Sequence, residues 1–286
     1  MTILQIVKLA TILSVVLLLF SLALRAKAAD LTYLVRNWRL GLGAFISMFV
    51  LVPAVALLIA RLLELNWAVE VAVVAMAVSP LPPILPGKQI KAGADKGYVT
   101  GLLFGASLLS VVIAPIWVLL ASRLFHADMS ISPLDLVKPI AISVLLPLML
   151  GLIAAPLLGT SVDLVCDITR KIGTFLLIVV FLAFVVILGP SMWKLVGDGT
   201  LLAFAAMAIV GLAAGHWLGG PDAGDRAALS LASSSRHPGV AIAVASHALS
   251  DIPMVPAAIV LALIVSMVIS MPFLALKKRR EEAAEA

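Results

Sequence analysis

The stretch Pro82-Pro83-Ile84-Leu85-Pro86-Gly87-Lys88-Gln89 interrupts a long apolar segment with three prolines, a glycine and a fixed positive charge. A second apolar segment, in the other half of the chain, is interrupted by Ser233-Ser234-Ser235-Arg236-His237-Pro238-Gly239. Proline has no N–H and disfavours helix in the residue before it, so neither segment forms one regular helix. Interrupted apolar segments in both halves of a chain are typical of the midplane binding site of a secondary transporter.

The composition of the chain is that of an integral membrane protein. It has 286 residues, of which 63% are hydrophobic and 12% are charged, and its mean hydropathy is +1.20. A soluble domain is about 25% charged. The single cysteine, Cys166, excludes an internal disulfide, and cationic loops explain the pI near 9.6 without nucleic acid. We therefore predict one membrane domain over residues 1–276 and a charged cytoplasmic tail at 277–286.

Hydropathy predicts about nine transmembrane helices, each long enough to cross a bilayer. The first is longer than the core of a signal peptide, which is about 7–15 residues, so we interpret it as a span. The third and eighth spans are the interrupted ones. The predicted spans are 3–24, 40–63, 67–92, 97–122, 132–158, 165–189, 199–218, 225–248 and 252–276.

The distribution of lysine and arginine predicts a cell inner membrane protein with its N-terminus outside and its C-terminus in the cytoplasm. In this orientation thirteen basic residues face the cytoplasm and four face outside, as the positive-inside rule requires. The cytoplasmic ones are Arg25, Lys27, Arg36, Arg39, Lys91, Lys96, Arg170, Lys171, Arg226, Lys277, Lys278, Arg279 and Arg280. The outside ones are Arg61, Arg123, Lys138 and Lys194.

Candidate site residues are the polar and charged side chains at the two breaks. A charge inside hydrocarbon is costly, so it usually faces a cavity and marks a substrate or ion path. Half-helices that begin after each break would point their positive N-terminal ends at the midplane and attract anions. We predict that the spans cross near Pro83–Lys88 and Ser234–Gly239. The candidate residues are Lys88, Gln89, Ser233, Ser234, Ser235, Arg236 and His237, and the breaks are assigned to Pro82, Pro83, Pro86, Gly87, Pro238 and Gly239.

Two of these residues have a second interpretation. Lys88 also fits a lysine that extends its ammonium to cytoplasmic headgroups beside Lys91 and Lys96. His237 fits either a proton carrier, with a reference pKa of about 6.5, or a packed, hydrogen-bonded histidine. Arg236 lies about ten residues from either end of its span, where reaching the headgroups is harder.

The sequence contains no motif that predicts an enzyme or a metal site. A nucleotide-binding loop, a zinc motif, a nucleophile elbow and a phosphate cradle are all missing from it. No nucleophile–base or carboxylate–metal set is visible either. We therefore expect no catalytic activity, no cofactor and no bound metal.

At the two breaks the chain resembles the bile acid:sodium symporter family, including its bacterial members. The resemblance is carried by Pro83 to Gly97, with Lys96-Gly97 after the first break, and by Arg236-His237-Pro238-Gly239-Val240-Ala241 at the second. It implies an all-α fold with inverted repeats, in which a core of helices surrounds two crossing broken helices beside a smaller panel. It also implies alternating access and the uptake of an organic anion coupled to sodium.

The sequence departs from the family at the positions that the resemblance assigns to sodium. Hard cations need oxygen ligands, which leucine, alanine, lysine and arginine side chains do not offer. Two organic cations could instead supply the charge of the missing ions. The positions concerned are Lys88, Gln89, Leu102, Ala106, Ala232 and Arg236.

The sequence therefore predicts a secondary transporter of a small or amphipathic organic anion that does not depend on sodium. A proton is the alternative coupling ion, with His237 as its candidate carrier. Two other functions stay open: a sodium-coupled organic anion symporter of the same family, and a transporter-like membrane sensor. The expected partners are the small-molecule anion and the lipid bilayer, and nucleic acid is not expected.

Overall fold

The computed structural model of the chain describes residues 3–124, 137–138, 141–248 and 254–285, and within these ranges it contains helices and no strand. The predicted all-α fold is confirmed. Helices suit a bilayer because they satisfy their backbone polar groups internally. In the described ranges five helical stretches are long and apolar enough to cross a membrane, beside the shorter apolar helices Leu9–Leu24 and Trp67–Val78. The five are Trp38–Leu62, Lys96–Leu124, Leu146–Leu195, Thr200–Leu218 and Val255–Lys277.

The helices follow the predicted spans, with part of the fifth span and the start of the ninth lying outside the described residues. A π-helical segment, Ile46–Leu51, joins two helices of the second span, and another, Ala141–Leu145, lies within the fifth. A short turn, Gly159–Ser161, separates the fifth from the sixth. The helices are α1 (Ile3–Leu24), α2 (Ala28–Leu31), α3 (Tyr33–Arg36), α4 (Trp38–Phe45), α5 (Val52–Leu62), α6 (Trp67–Val78), α7 (Leu85–Lys91), α8 (Lys96–Leu124), α9 (Leu146–Leu158), α10 (Val162–Leu195), α11 (Thr200–Leu218), α12 (Ala223–Ser234), α13 (Pro238–Ala248) and α14 (Val255–Glu285).

The first halves of the two broken spans are built alike. Both α6 and α12 are 12 residues long. Each begins at a side-chain cap: the Asn66 Oδ1 accepts the Ala68 N–H, and the Asp222 Oδ1 accepts the Gly224 N–H. Such caps satisfy N–H groups that have no partner in the first turn.

Helix α1 packs against both α9 and α10, and the three form one group. Glycines allow the close approach, because an added Cβ at Gly151 would lie 2.7 Å from the Phe20 carbonyl oxygen of α1. At one end of the group, Arg25 forms ion pairs with Asp163 at 2.9 Å and Asp167 at 3.2 Å. The group therefore holds together through backbone proximity and an exposed ion-pair network.

A second close contact joins α11 to α12. Gly211, Gly215 and Gly219 recur every four residues and face the backbone of α12. An added Cβ at Gly215 would lie 2.3 Å from the Ser230 Cα. These three glycines form a glycine seam, along which the backbones of the two helices meet without side chains between them. This contact sets the position of α12 and of the break that follows it.

Several connecting segments with basic residues meet at one end of the bundle. The Tyr33 and Tyr98 rings lie 6.0 Å apart, and the Asp225 Oδ1 accepts the Asp95 N–H at 3.2 Å. The Lys277 Nζ donates to the Ala92 carbonyl at 2.6 Å, and α14 continues through Glu285. These contacts agree with the sidedness expected from the basic residues, and the compartment that this end faces stays a prediction.

Candidate functional site at the crossing of the broken spans

The first break lies between α6 and α7, over residues 79–84. Helix α6 ends at Val78 because Pro80 and the prolines after it cannot continue a helix. Helix α7 begins at Leu85, with Pro86 in its first turn, where a missing N–H costs nothing. Pro86, Gly87 and Lys88 therefore lie inside a helix, and the break falls about one turn earlier than we predicted.

The second break is shorter, and it lies just before Pro238 and Gly239, the residues to which we assigned it and which open α13. Helix α12 ends at Ser234, Ser235-Arg236-His237 is not helical, and α13 begins at Pro238. Proline at the start of a helix has its fixed backbone angle already in the helical range.

The two breaks touch each other through the backbone. The His237 N–H donates to the Pro80 carbonyl at 2.9 Å, and the Arg236 Nη1 donates to the Ser79 carbonyl at 3.2 Å. Around this point α6 packs against α13, and α7 packs against α12. Opposite halves of the two spans are thus paired, and the crossing point is Ser79–Pro80 with Arg236–His237.

Arg236 is the central side chain of the crossing, with only 1% of its surface exposed. Its Nη2 donates to the Met48 carbonyl at 2.7 Å, in addition to the Nη1 bond to Ser79. Within the described residues its Nε has no partner, and its charge is not paired with a carboxylate. The guanidinium therefore links the second break to the first and to the π-helical segment.

Prolines explain why these particular carbonyls accept a side chain. In an α-helix the donor to the Ser79 carbonyl would be residue 83, which is a proline. In the π segment the Val52 N–H bonds the Ser47 carbonyl, five residues back. In that pattern the donor to the Met48 carbonyl would be residue 53, which is also a proline. Arg236 thus binds two oxygens that prolines have deprived of their helical donors.

Two further carbonyls near the crossing also accept side-chain donors. Pro238 removes the helical donor of the Ser234 carbonyl, which accepts a hydrogen bond from the Ser266 Oγ at 3.0 Å instead. The Phe49 carbonyl, next to Met48 in the π-helical segment, accepts a hydrogen bond from the Trp117 Nε1 at 2.8 Å. A buried polar group without a partner lowers the free energy of unfolding by about 1–3 kcal/mol, and each of these hydrogen bonds avoids that cost. Sequence reasoning missed these donors, although counting back from Pro238 identifies the Ser234 carbonyl as an acceptor.

Two other predicted site residues, Gln89 and Ser233, link segments within this region, and Ser234 bonds within its own helix. The Gln89 Nε2 donates to the Ala228 carbonyl at 2.8 Å and joins α7 to α12. The Ser233 and Ser47 hydroxyls lie 2.6 Å apart, in hydrogen-bond contact. The Ser234 Oγ donates to its own helix at Leu231, 3.3 Å away. Ser235 is partly buried beside them.

Lys88 lies in a different environment from Arg236. It is exposed on α7 and makes no hydrogen bond or ion pair within the part of the chain that the structure describes. The other positions that the resemblance assigns to sodium ligands, Leu102, Ala106 and Ala232, are buried in the apolar core. None of these three side chains has an oxygen.

His237 completes the site and is 4% exposed. Its Nδ1 accepts the Val240 N–H at 3.4 Å, at the start of α13. Its Nε2 has no partner among residues 3–124, 137–138, 141–248 and 254–285. An added Cβ at Gly239 would lie 3.2 Å from the imidazole Cε1, so the ring rests on this glycine.

A multi-pass helical bundle with two crossing, interrupted spans and a buried cation at their crossing has the architecture of a membrane transporter. The SBF-like CPA transporter family (DUF4137) matches residues 2–223, which is 222 of the 286 residues. The chain belongs to this family, and its resemblance to bile acid:sodium symporters is confirmed. The comparison with curated proteins found no match. The matched residues end before the second break, at the start of α12.

Proposed function

We propose that the chain is a secondary transporter of a small or amphipathic organic anion, that it works by alternating access, and that it does not use sodium. Family membership makes it a membrane transporter of the SBF/CPA type. The observation that carries the finer proposal is the bonding of Arg236 to the freed carbonyls of Ser79 and Met48.

Arg236 takes the oxygens that a sodium ion would need. Unwound main-chain carbonyls at broken helices are typical ligands of sodium in transporters. At the crossing two such carbonyls, of Ser79 and Met48, already accept hydrogen bonds from a guanidinium. A sodium ion about 4 Å from this charge would meet a repulsion of about 4 kcal/mol at an effective dielectric constant of 20. The side chain thus acts as a tethered cation.

An anion suits the crossing because the charge of Arg236 is not neutralised by a carboxylate of the described residues. The N-terminal end of α13 lies two residues away and adds positive potential. Lys88, exposed on α7, contributes a second positive charge that draws anions from solution. Carboxylates and sulfonates are the chemical classes that this potential favours.

We also propose that the two broken spans belong to an inverted repeat. The equal lengths of α6 and α12 and the pairing of opposite half-helices support this relation. In such repeats the site stays near the midplane while one group of helices moves against the other. The group of α1, α9 and α10 is the candidate for one of the two moving bodies.

Uptake of benzoate, decanesulfonate and cholate into proteoliposomes that contain the protein tests the proposal. We expect uptake of at least one of these anions, unchanged when choline replaces sodium. A steep dependence on sodium would contradict the proposal and would mean that ions bind elsewhere. Tight binding of a probe without uptake would instead identify a sensor.

The variant Arg236→Gln tests the tethered cation directly. Removing the guanidinium leaves the Ser79 and Met48 carbonyls without their donor. We therefore expect the Tm of the variant to be higher in sodium than in choline. The native protein should show no such difference. Lys91→Gln, which removes an exposed cation from α7, is the matched control and should behave like the native protein. An Arg236→Gln protein indifferent to sodium would contradict the idea.

A further inference from the structure

We infer that His237 donates its Nε2–H to the transported anion and works as a neutral hydrogen-bond donor, with Arg236 supplying the charge. The inference rests on the proposed function and concerns the same site. It decides between the two interpretations of His237, as a proton carrier or as a packed histidine. The ligand class is an organic anion that presents an acceptor oxygen, a carboxylate or a sulfonate.

We infer the tautomer of the ring from the hydrogen bond at Nδ1. The Val240 N–H lies 3.4 Å from the His237 Nδ1 in a donor geometry, which favours Nδ1 as an acceptor without a proton. A neutral imidazole then holds its proton on Nε2. The two ring nitrogens point in divergent directions, so the Nε2–H is directed away from the first turn of α13.

This Nε2–H is a buried donor without a protein acceptor in the described part of the chain. Buried donors are almost always satisfied, and one without a partner points to a ligand or a functional role. An anionic oxygen beside Nε2 would restore the missing bond, and hydrogen bonds to charged groups are among the stronger ones. The ring is therefore prepared to bind an acceptor before the acceptor arrives.

Gly239 lies between the imidazole of His237 and α1. The position of an added Cβ at Gly239 would be 3.4 Å from the His237 Nδ1 and 3.7 Å from the Thr11 Cγ2 of α1. Glycine at 239 thus allows the imidazole to lie on the start of α13, close to α1. We place the anion beside Nε2, between α1 and the crossing.

Arg236 and His237 have separate tasks in this arrangement. Both Nη atoms of Arg236 already donate to carbonyls, so the guanidinium offers its charge and its Nε–H, which also has no partner among the described residues. His237 provides the directed bond. A second proton on the ring would displace the Val240 N–H and put a charge beside the guanidinium, which argues against proton transport through His237.

Nitrogen NMR of histidine-labelled protein in nanodiscs tests the tautomer without any ligand. The signals of His237 are assigned by their loss in His237→Gln. We expect a proton on Nε2 and none on Nδ1, from mildly acidic to neutral pH. An imidazolium in this range, or a proton on Nδ1, would overturn the inference and leave the transporter proposal intact.

Uptake of benzoate, decanesulfonate and cholate tests the donor role. His237→Leu removes the donor, and we expect it to weaken the apparent affinity for the transported probe about tenfold or more, since the lost bond is to a charged group. His237→Gln keeps an N–H donor near the position of Nε2 and should recover most of this loss, with a pH profile parallel to that of the native protein. Thermal unfolding of both variants shows whether they are folded.

The two failures are distinguishable. If the native protein transports a probe and a folded His237→Leu protein has the same apparent affinity for it, the donor role alone is overturned. A flattened pH profile in His237→Gln would also overturn it, because it would assign proton transfer to the ring. Lack of native uptake for every probe would overturn the proposed function, and the donor role with it.

Discussion

Arg236 is the residue on which the crossing depends most, because it satisfies carbonyls of two other segments. Arg236→Ala is expected to lower the free energy of unfolding by about 1–3 kcal/mol for each of the two carbonyls left without a donor. Thermal unfolding in detergent measures the loss. Millimolar guanidinium should raise the Tm of this variant by refilling the gap, and leave the native Tm unchanged.

Arg61→Ala is the control for this experiment, because Arg61 is exposed at the end of α5. Its Tm should match that of the native protein and show no response to guanidinium. An Arg236→Ala protein as stable as the native one would contradict the assignment of Arg236 as the donor to Ser79 and Met48.

Ser266 does for the Ser234 carbonyl what Arg236 does for the Ser79 and Met48 carbonyls. Pro238 removes the helical donor of the Ser234 carbonyl, and the Ser266 hydroxyl replaces it. Ser266→Ala should cost about 1–3 kcal/mol of unfolding free energy, because the carbonyl is buried. Ser270→Ala is a close match on the same helix, since the Ser270 Oγ donates only to the Ser266 carbonyl at 2.7 Å. A helical carbonyl has its own N–H donor, so the second variant should lose less. Equal losses would refute the proline argument.

At the scale of the elements, the glycine seam between α11 and α12 sets the position of the second break. Gly215→Ala should destabilise the protein by about 1–3 kcal/mol or more, as overpacking does, since the added methyl group meets the backbone of Ser230. Gly189→Ala is the matched control, because nothing lies within 4 Å of its Cβ position. Yield and Tm in detergent measure both. A stable, well-expressed Gly215→Ala would show that the seam is loose.

At the scale of the whole molecule, one long helix allows the predicted orientation in the membrane to be tested. Arg170 and Lys194 lie near opposite ends of α10, 24 residues or about 36 Å apart, which exceeds a hydrocarbon core of about 30 Å. Arg170→Cys should react with a membrane-impermeant maleimide only after lysis, and Lys194→Cys should react in intact cells. The native protein provides the background, because Cys166 is buried. The reverse pattern would invert the predicted topology.

The class of the protein, its helical spans and the existence of both breaks could be predicted from the chain alone. Hydropathy identifies the spans because a bilayer demands about 20 apolar residues in a row. Proline identifies the breaks because its missing N–H acts on residues three to five positions away. These are local effects, so 3–24 matches α1 and each break lies within about one turn of the prolines assigned to it.

The crossing point and the roles of the charges depend on contacts between distant parts of the chain. Counting back from Pro83 and Pro53 identifies the freed carbonyls, but their common donor lies 157 residues from Ser79 and 188 from Met48. Nothing local in the sequence shows that Arg236 is buried and Lys88 exposed. Nor does it show that the spans cross at Ser79 and not at Lys88. Helix packing settles both, because it brings one cation to oxygens that need a donor and leaves the other at the surface.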